Sequence, residues 1–279
     1  MIGKTIVITG ATSGVGAAAA VALADRGARL IVVARDRGRG ESTIAGLKSG
    51  PLQTHRLCLA DMADMGDVKR AAEEIAASEP SVDILINNAG TWFKERQLTP
   101  EGLERTFALN HMAYVILTLG LKEALANTVG ARVVNTASFV HAKSYDPDDL
   151  QSEKRFSTNK TYAQSKLYNI LFTRALAKRW KELDVTANCF SPGFVQTNFG
   201  AGEGGLLEPI YRLTRAWFGK TPAQGAETLV HLATSAEVAG VSGAYFEDCK
   251  VSKPHDSALS DANADDLWRR SLALGHLTA

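Results

Sequence analysis

Tyr162 and Lys166 have the clearest capacity for chemistry of any side chains in the sequence. On a helix, residues four apart share a face, so the phenol and the ammonium would project to the same side. A free tyrosine has a pKa of about 10, and a nearby cation lowers the pKa of a phenol. Such a pair can give a proton to a developing alkoxide or take one from an alcohol. Because Tyr-x-x-x-Lys is common by chance, its meaning depends on its surroundings.

A glycine-rich turn is the second candidate. The segment Gly10-Ala-Thr-Ser-Gly14-Val-Gly16 follows a β-branched run and precedes an alanine-rich helical segment. Glycine lets the backbone turn tightly, and a helix N-terminus offers unpaired N–H groups to a phosphate. A strand before and a helix after are what dinucleotide binding requires, although the spacing is TGxxxGxG rather than GxGxxG.

Short β-branched runs and helical segments alternate along the chain, which is 45% hydrophobic. Strands are predicted at 4–10, 28–35, 55–61, 82–90, 131–138, 184–193 and 243–248, and helices at 15–26, 41–48, 65–78, 100–128, 161–182 and 222–233. Continuous apolar strands indicate a parallel sheet that is buried on both faces. The pattern predicts a doubly wound α/β Rossmann fold, with a single parallel sheet of about seven strands flanked by helices.

Two segments interrupt this alternation within what we interpret as one domain over residues 1–279. The first, 142–160, is a polar insertion between the fifth strand and its helix. The second, 199–221, is glycine-rich and then amphipathic, and we interpret it as a lid over the substrate. Its apolar side chains could equally pack in the core or at a subunit interface, and shallow membrane association is a third option.

The order and spacing of these motifs resemble the short-chain dehydrogenase/reductase family from about residue 4 to 197. The resemblance implies a catalytic tetrad of Asn110, Ser138, Tyr162 and Lys166. Ser138 would hydrogen-bond the substrate oxygen, with Thr136 as a weaker rival because it shares the same strand face. Asn110, in the segment ALNH, would hold a water in a proton relay with the lysine.

The same resemblance implies a set of cofactor-binding residues. In it, Asp61 contacts adenine, Asn88 ties strands together, and Val195 and Thr197 hold the nicotinamide carboxamide. The whole set is Gly10, Thr12, Ser13, Gly14, Val15, Gly16, Arg35, Asp61, Met62, Asn88, Ala89, Gly90, Tyr162, Lys166, Pro192, Gly193, Val195 and Thr197.

The end of the second strand bears on which nicotinamide cofactor is used. An acidic residue there hydrogen-bonds the ribose of NAD, whereas an arginine pairs with the 2′-phosphate of NADP. In the resembling proteins, a basic residue at the Arg35 position marks NADP users, and its guanidinium could fork around a phosphate. We therefore expect NADP(H) rather than NAD(H), with Asp36 as the counter-argument.

Ser138 and Tyr162 are 24 positions apart, about twice the spacing usual in the family. Together with SFVHAKS and SKLYNILFTRALAKR, this gap resembles the retinol dehydrogenase-like branch, which implies a bulky apolar carbonyl or alcohol substrate. Candidate substrate contacts are Trp92, His141, Phe199, Tyr211 and Trp217. Phe93 could extend the aromatic wall that Trp92 begins.

Composition excludes several other classes of function. A net charge of +1 with scattered basic residues does not indicate a nucleic-acid partner. Three dispersed cysteines and six dispersed histidines predict no metal site and no disulfide framework. With no signal peptide and no apolar run of about 20 residues, we expect a cytoplasmic protein without an integral membrane anchor. The family resemblance implies a homodimer or homotetramer.

The sequence therefore predicts an NADP(H)-dependent oxidoreductase that interconverts a carbonyl and an alcohol on a small molecule. Two alternatives stay open. One is a carbon–carbon double-bond reductase, such as an enone reductase, with the same Tyr and Lys pair. The other is a dinucleotide-binding sensor that lacks catalysis, although such proteins typically lose the tyrosine or lysine that this chain retains.

Overall fold

A computed structural model describes residues 1–195 and 219–278 of the chain. In these residues, eight strands form one sheet in the order β3-β2-β1-β4-β5-β6-β7-β8. The strands are β1 (Thr5–Thr9), β2 (Arg29–Ala34), β3 (Arg56–Leu59), β4 (Ile84–Asn87), β5 (Ala131–Thr136), β6 (Val185–Phe190), β7 (Tyr245–Glu247) and β8 (Lys250–Ser252). The first seven run parallel, which confirms the predicted sheet, and β8 pairs antiparallel with β7.

Helices cover both faces of the sheet. Those described are α1 (Gly14–Asp25), α2 (Arg37–Ala45), α3 (Met65–Ser78), α4 (Arg105–Phe107), α5 (Ala113–Gly120), α6 (Lys122–Ala126), α7 (Thr158–Arg179), α8 (Pro222–Thr234) and α9 (Asp261–Gly275). Alternate strand residues point to opposite faces. Val7 and Ile31 therefore join the core with α3, α5 and α7, whereas Ile6 and Leu30 join the core with α1 and α8.

The helix predicted over 100–128 is present but begins later, at Arg105, and it is not continuous, because the structure divides it into α4, α5 and α6. The Glu104 carboxylate accepts hydrogen bonds from Thr106 N (2.9 Å) and Phe107 N (2.7 Å), which starts α4. A π-helical turn, Ala108–Met112, then separates α4 from α5. Such turns are frequent at functional sites, and this one contains Asn110.

The polar insertion packs against the rest of the protein. A short 3₁₀ helix, Pro147–Asp149, ends in a buried carboxylate that accepts from Glu153 N (2.6 Å) and Lys154 N (3.1 Å). The Tyr168 hydroxyl, on α7, donates to Leu150 O at 3.4 Å. The insertion is thus anchored to the helix that carries Tyr162 and Lys166.

None of the described helices is long and apolar enough to cross a membrane. The described His, Cys, Asp and Glu side chains likewise form no group of three or more that could hold a metal ion.

Candidate active site

A cleft of about 960 Å³ lies at the carboxyl ends of the strands. It spans the point where the strand order reverses between β1 and β4, which is where ligands bind in open α/β sheets. The cofactor candidates that line it are Gly10, Thr12, Ser13, Gly14, Val15, Gly16, Arg35, Asp61, Met62, Asn88, Ala89, Gly90, Tyr162, Lys166, Pro192, Gly193 and Val195. Thr197, Phe199, Tyr211, Trp217 and most of the predicted 199–221 lid lie outside the described residues.

The glycine turn packs tightly against the end of β4. Gly10 has a φ of +69°, and a Cβ there would lie 2.8 Å from the Ala89 Cα. At Gly16, a Cβ would lie 2.2 Å from Gly10 O and 2.4 Å from the Asn88 amide nitrogen. Both positions therefore need glycine, because any side chain would separate α1 from the sheet.

Asn88 connects the first and fourth strands. Its Nδ2 donates to Thr9 O at 3.1 Å and to Gly10 O at 3.3 Å. The Thr9 hydroxyl in turn accepts from the backbone N–H groups of Asn88 and Ala89, each at 2.9 Å. This bonding holds Ala89 and Gly90 beside the glycine turn.

The N-terminus of α1 is open to an anion. Ser13 occupies the N-cap position, but its side chain makes no capping hydrogen bond, and the first turn holds no acidic residue. The first N–H groups of a helix need a partner, and a phosphate fits them well. A dinucleotide therefore suits this end of the cleft.

Two arginines line the far end of the cleft, beyond β2. Arg35 was expected from the sequence, whereas Arg39, on α2, was missed. The Arg39 Nη2 donates to Thr12 O at 3.3 Å, so this guanidinium lies against the glycine turn. Asp36 instead caps α2, since its carboxylate accepts from Arg39 N at 2.7 Å. The sequence signal for Arg39 is an arginine at the third position of a helix that closely follows the end of a strand.

Lys166 is almost fully buried, at 2% exposure, beneath Tyr162 on α7. Its Nζ donates to Thr136 O at 3.2 Å and lies 5.5 Å from the centre of the Tyr162 ring. Burial lowers the pKa of this ammonium to about 7, because the charged form loses its hydration. The phenol and the amine thus share the face of α7 that the spacing predicts.

Ser138 lines the cleft just beyond β5, and its rival Thr136, the last residue of β5, lines it too. The Ser138 hydroxyl accepts from Val140 N at 3.3 Å. The Thr136 hydroxyl donates to the Asn88 side-chain oxygen at 3.4 Å. The Thr136 hydroxyl thus donates its proton to a hydrogen bond within the protein, whereas the Ser138 hydroxyl uses its oxygen as an acceptor.

Asn110 lies behind the cleft wall and is fully buried in the π turn. Its Oδ1 accepts from Thr91 N at 3.0 Å, and its Nδ2 donates to Thr91 O and to the Ser165 hydroxyl, both at 2.9 Å. A Cβ on Gly90 would lie 3.1 Å from this Oδ1. Asn110 therefore holds the Gly90–Thr91 backbone against α7.

The substrate end of the cleft is partly aromatic. The Trp92 ring meets the Tyr162 ring edge-on, with centroids 5.6 Å apart. Phe93 also lines the cleft, and the Arg105 guanidinium covers its ring at 4.2 Å. Phe139 and Val140 follow Ser138 in this lining, at 46% and 45% exposure, and were not singled out from the sequence.

His141, predicted to contact substrate, is buried and does not line the cleft in the described part of the chain. Its Nδ1 lies 2.8 Å from Ser138 O, and its Nε2 accepts from His255 N at 3.1 Å. Both ring nitrogens therefore contact backbone, one within residues 138–142 after β5 (the Ser138 loop) and the other at His255.

Sequence comparison identifies similar proteins over nearly the whole chain. The short chain dehydrogenase family profile matches residues 4–204. Human "Retinol dehydrogenase 14" is 38% identical over 288 residues, covering 96% of this chain and 85% of its own length. A Streptomyces protein, "Putative daunorubicin C-13 ketoreductase DnrU", is 36% identical over 276 residues, with 97% and 92% coverage.

Comparison of folds gives the same result. A crystal structure of a "putative NAD(P) dependent gluconate 5-dehydrogenase" from Beutenbergia cavernae, with bound NADP at low occupancy, has a TM-score of 0.70 and is 26% identical. The match covers 93% of this chain and 98% of the chain in that crystal structure.

Proposed function

The chain belongs to the short-chain dehydrogenase family, as a retinol dehydrogenase-like member, and from this premise we propose that it is an NADP(H)-dependent oxidoreductase that interconverts a carbonyl and an alcohol on a bulky apolar small molecule. One observation carries the proposal. The Tyr162 phenol, the Lys166 amine and Ser138 line the same cleft as the glycine turn. A substrate oxygen can therefore meet a proton donor beside a dinucleotide site.

The chain's own residues would manage the proton and the substrate oxygen. When bound, the nicotinamide dinucleotide would supply or accept the hydride. The Tyr162 phenol would donate its proton to the oxygen of a carbonyl that is being reduced, or accept one from an alcohol. The Ser138 hydroxyl would donate a hydrogen bond to that oxygen as its negative charge develops. Lys166, with a pKa of about 7, could pass a proton near neutral pH.

The preference for NADP(H) rests on the end of the cleft beyond β2. Arg35 and Arg39 would hold the 2′-phosphate, which suits a guanidinium fork. Asp36, the residue that argued for NAD, caps α2 instead. NADP in the similar Beutenbergia cavernae structure supports the assignment.

The substrate class follows from the partly aromatic end of the cleft. Trp92, Phe139 and Val140 offer apolar surface next to Tyr162 and Ser138, and a large apolar ligand gains free energy in proportion to the area that it buries there. The names of two relatives specify retinol and daunorubicin, which are both bulky molecules with extended apolar parts, and so support this class.

We also propose that the protein forms a homodimer or homotetramer. The exposed β8, with Val251 at 65% exposure, leaves an edge of the sheet at which a second subunit could pair. Light scattering after size exclusion would measure the subunit number. The single domain and the cytoplasmic location stay predictions.

The decisive experiment follows NADPH oxidation with a panel of bulky aldehydes, ketones and enones. We expect Tyr162→Phe to lower kcat by about 10²- to 10⁴-fold, the usual contribution of a proton donor, and to leave the Kd for NADPH nearly unchanged. Tyr145→Phe is the matched control, because its hydroxyl bonds Asp266 away from the cleft. Retained turnover in Tyr162→Phe would remove the phenol from the mechanism. Product analysis separates C=O from C=C reduction, and a panel without turnover would favour the sensor alternative.

A further inference from the structure

His141 joins two segments that are distant in sequence. It lies in the loop after β5, three residues beyond Ser138, and is 7% exposed. One ring nitrogen, Nδ1, is 2.8 Å from the Ser138 carbonyl oxygen. The other, Nε2, is 3.1 Å from the backbone nitrogen of His255, which directly precedes the 3₁₀ helix Asp256–Leu259 before α9.

These two contacts are compatible with only one protonation state of the imidazole ring. A carbonyl oxygen only accepts, so Nδ1 must carry a proton and donate it to Ser138 O. A backbone N–H only donates, so Nε2 must be unprotonated and accept from His255. In a neutral imidazole one nitrogen donates and the other accepts. The structure therefore requires the neutral Nδ1–H tautomer, because a protonated ring would turn its Nε2–H toward the His255 N–H.

The Ser138 loop has few other connections to the rest of the protein. Besides His141, the described contacts are the Phe139 N–H donating to the Ser191 hydroxyl at 3.0 Å and Ala142 N donating to Ala163 O at 2.9 Å. The His141 N–H also donates to Ser138 O at 3.2 Å. The imidazole is thus the link from this loop to the segment at His255.

We propose that His141 is a positioning residue: its neutral Nδ1–H tautomer ties the Ser138 loop to the backbone at His255, and protonation of the ring releases that tie. The proposal rests on the proposed function, in which the Ser138 hydroxyl binds the substrate oxygen. A tied loop keeps the hydroxyl in place for catalysis, and an untied loop lets it shift.

The groups around the ring favour the neutral form. Burial is the main reason that the pKa of His141 falls below the usual range; the hydrogen bond to Ser138 O raises this pKa in part, and the neighbouring His255 lowers it further. The two imidazoles lie 4.8 Å apart, and Tyr245 of β7 packs edge-on at 5.6 Å. Glu247, also on β7, acts in the opposite direction, but its carboxylate accepts from the Tyr245 and Ser252 hydroxyls. The tie should therefore hold at neutral pH and fail in acid.

Two variants remove the tie from opposite sides. In His141→Asn, an amide nitrogen can replace Nδ1 as donor to Ser138 O, but nothing reaches His255. In His255→Pro, the N–H donor is lost, and the φ of −59° and ψ of 151° at this residue suit proline. His255→Ala is the matched control, because it removes the neighbouring ring and keeps the N–H.

The test measures kcat for NADPH-dependent carbonyl reduction between pH 5 and 9. At pH 8, we expect about five- to tenfold lower kcat in His141→Asn and His255→Pro than in wild type, as for one lost hydrogen bond, with an unchanged KM for NADPH. His255→Ala should stay near wild type. As the pH falls, the ratio of wild-type to variant kcat should approach one, because wild type then loses the tie too. A ratio that stays constant with pH, or His255→Pro matching His255→Ala, would overturn the proposal.

Nitrogen-15 spectra of labelled histidine in the intact protein separate this proposal from the proposed function. We expect the His141 signals, identified by their loss in His141→Asn, to show a protonated Nδ1 and an unprotonated Nε2 at pH 8. The Nε2 signal should shift in His255→Pro more than in His255→Ala. The opposite tautomer defeats the positioning proposal even if turnover is normal. Absent turnover together with the expected tautomer defeats the proposed function instead.

Discussion

Lys166 shows how strongly one residue of the cleft depends on its surroundings. A lysine ammonium loses much of its hydration when it is buried, and here one backbone carbonyl, Thr136 O at 3.2 Å, accepts from it. Burial destabilises the charged amine in the folded protein and so lowers its pKa to about 7. A pKa in this range suits proton transfer near neutrality.

The buried lysine makes stability depend on pH. In the unfolded chain a lysine titrates near 10.4, so between pH 7 and about pH 10 the unfolded state binds the extra proton. The free energy of unfolding of wild type should therefore rise with pH in this window. We expect Lys166→Met to lack this rise. The variant should be more stable than wild type at pH 7, and this difference in the free energy of unfolding should shrink by a few kcal/mol at pH 10, at roughly 1.4 kcal/mol per pKa unit.

Denaturant unfolding at several pH values measures this difference. The matched control is Lys178→Met, which removes a lysine from the same helix at a site that is 60% exposed. Parallel pH curves for wild type and Lys166→Met would show that the buried amine does not titrate in this range.

The hydroxyls of Ser138 and Thr136 should differ in their effect on turnover. The Ser138 oxygen accepts from Val140 N, which leaves its proton for a substrate oxygen, whereas the Thr136 proton bonds Asn88. We expect Ser138→Ala to lower kcat by about 10²- to 10³-fold, as when an oxyanion donor is removed. Thr136→Val should cost much less. Steady-state kinetics with one ketone decides, and the reverse order would reassign the role to Thr136.

At the scale of elements, α2 separates two side chains that are neighbours in sequence. Asp36 ends the strand-to-helix turn and accepts from Arg39 N, so it starts the helix. Arg35, just before it, lines the cleft, and Arg39 returns to the cleft one turn later. The turn thus places two cations at the cleft and assigns the carboxylate to the helix.

Substitutions in this turn should separate cofactor preference from stability. We expect Arg35→Ala and Arg39→Ala each to raise the Kd for NADPH at least tenfold and to change the Kd for NADH little, because only NADPH carries the 2′-phosphate. Asp36→Ala should lower stability by about 1 kcal/mol through the lost cap and leave the NADPH-to-NADH ratio of Kd values unchanged. Fluorescence titration measures the Kd values, and a selective loss of NADH binding in Asp36→Ala would restore the NAD assignment.

Sequence periodicity predicted the seven parallel strands well, because the apolar runs that form β1, β2 and β4 are buried on both faces. It failed where tertiary contacts decide. The stretch 100–128 before β5 is predicted as one helix, yet the π turn at Ala108–Met112 divides it and buries Asn110. Strand β8 has three residues, is exposed, and carries no apolar alternation, so nothing in its sequence indicated a strand.

The site residues likewise divide into those that local sequence motifs predicted and those that depend on tertiary contacts. The glycine turn, Asn88, Tyr162 and Lys166 are local motifs with fixed spacing, and the structure brings them to one cleft. The position of His141 was not predictable, because its partner His255 is more than a hundred residues away in sequence. Arg39 lines the cleft because of where α2 begins, and Phe139 because of how the loop after β5 turns.

At the scale of the whole molecule, α9 supports the catalytic helix from behind. The Trp268 ring stacks on the Phe172 ring of α7, with centroids 5.8 Å apart and an interplanar angle of 16°. The Arg179 guanidinium lies over the Trp268 ring, 4.6 Å from its centre, and donates to Asp265 at 2.8 Å. The C-terminal helix, which was not predicted from the sequence, thus completes the core on the far side of α7 from the cleft.

Removing this contact should lower stability much more than removing the ion pair beside it. We expect Trp268→Ala to reduce the free energy of unfolding by about 3–5 kcal/mol, as for a large buried side chain replaced by alanine, and to lower the Tm by roughly 10 °C. Asp265→Asn is the control, because its carboxylate is 44% exposed and such pairs contribute about 1 kcal/mol or less. Thermal unfolding measures both. Because Trp268 lies outside the cleft, NADPH binding by Trp268→Ala at low temperature should match wild type. Equal Tm losses in the two variants would mean that α9 is held by surface charge and not by the core.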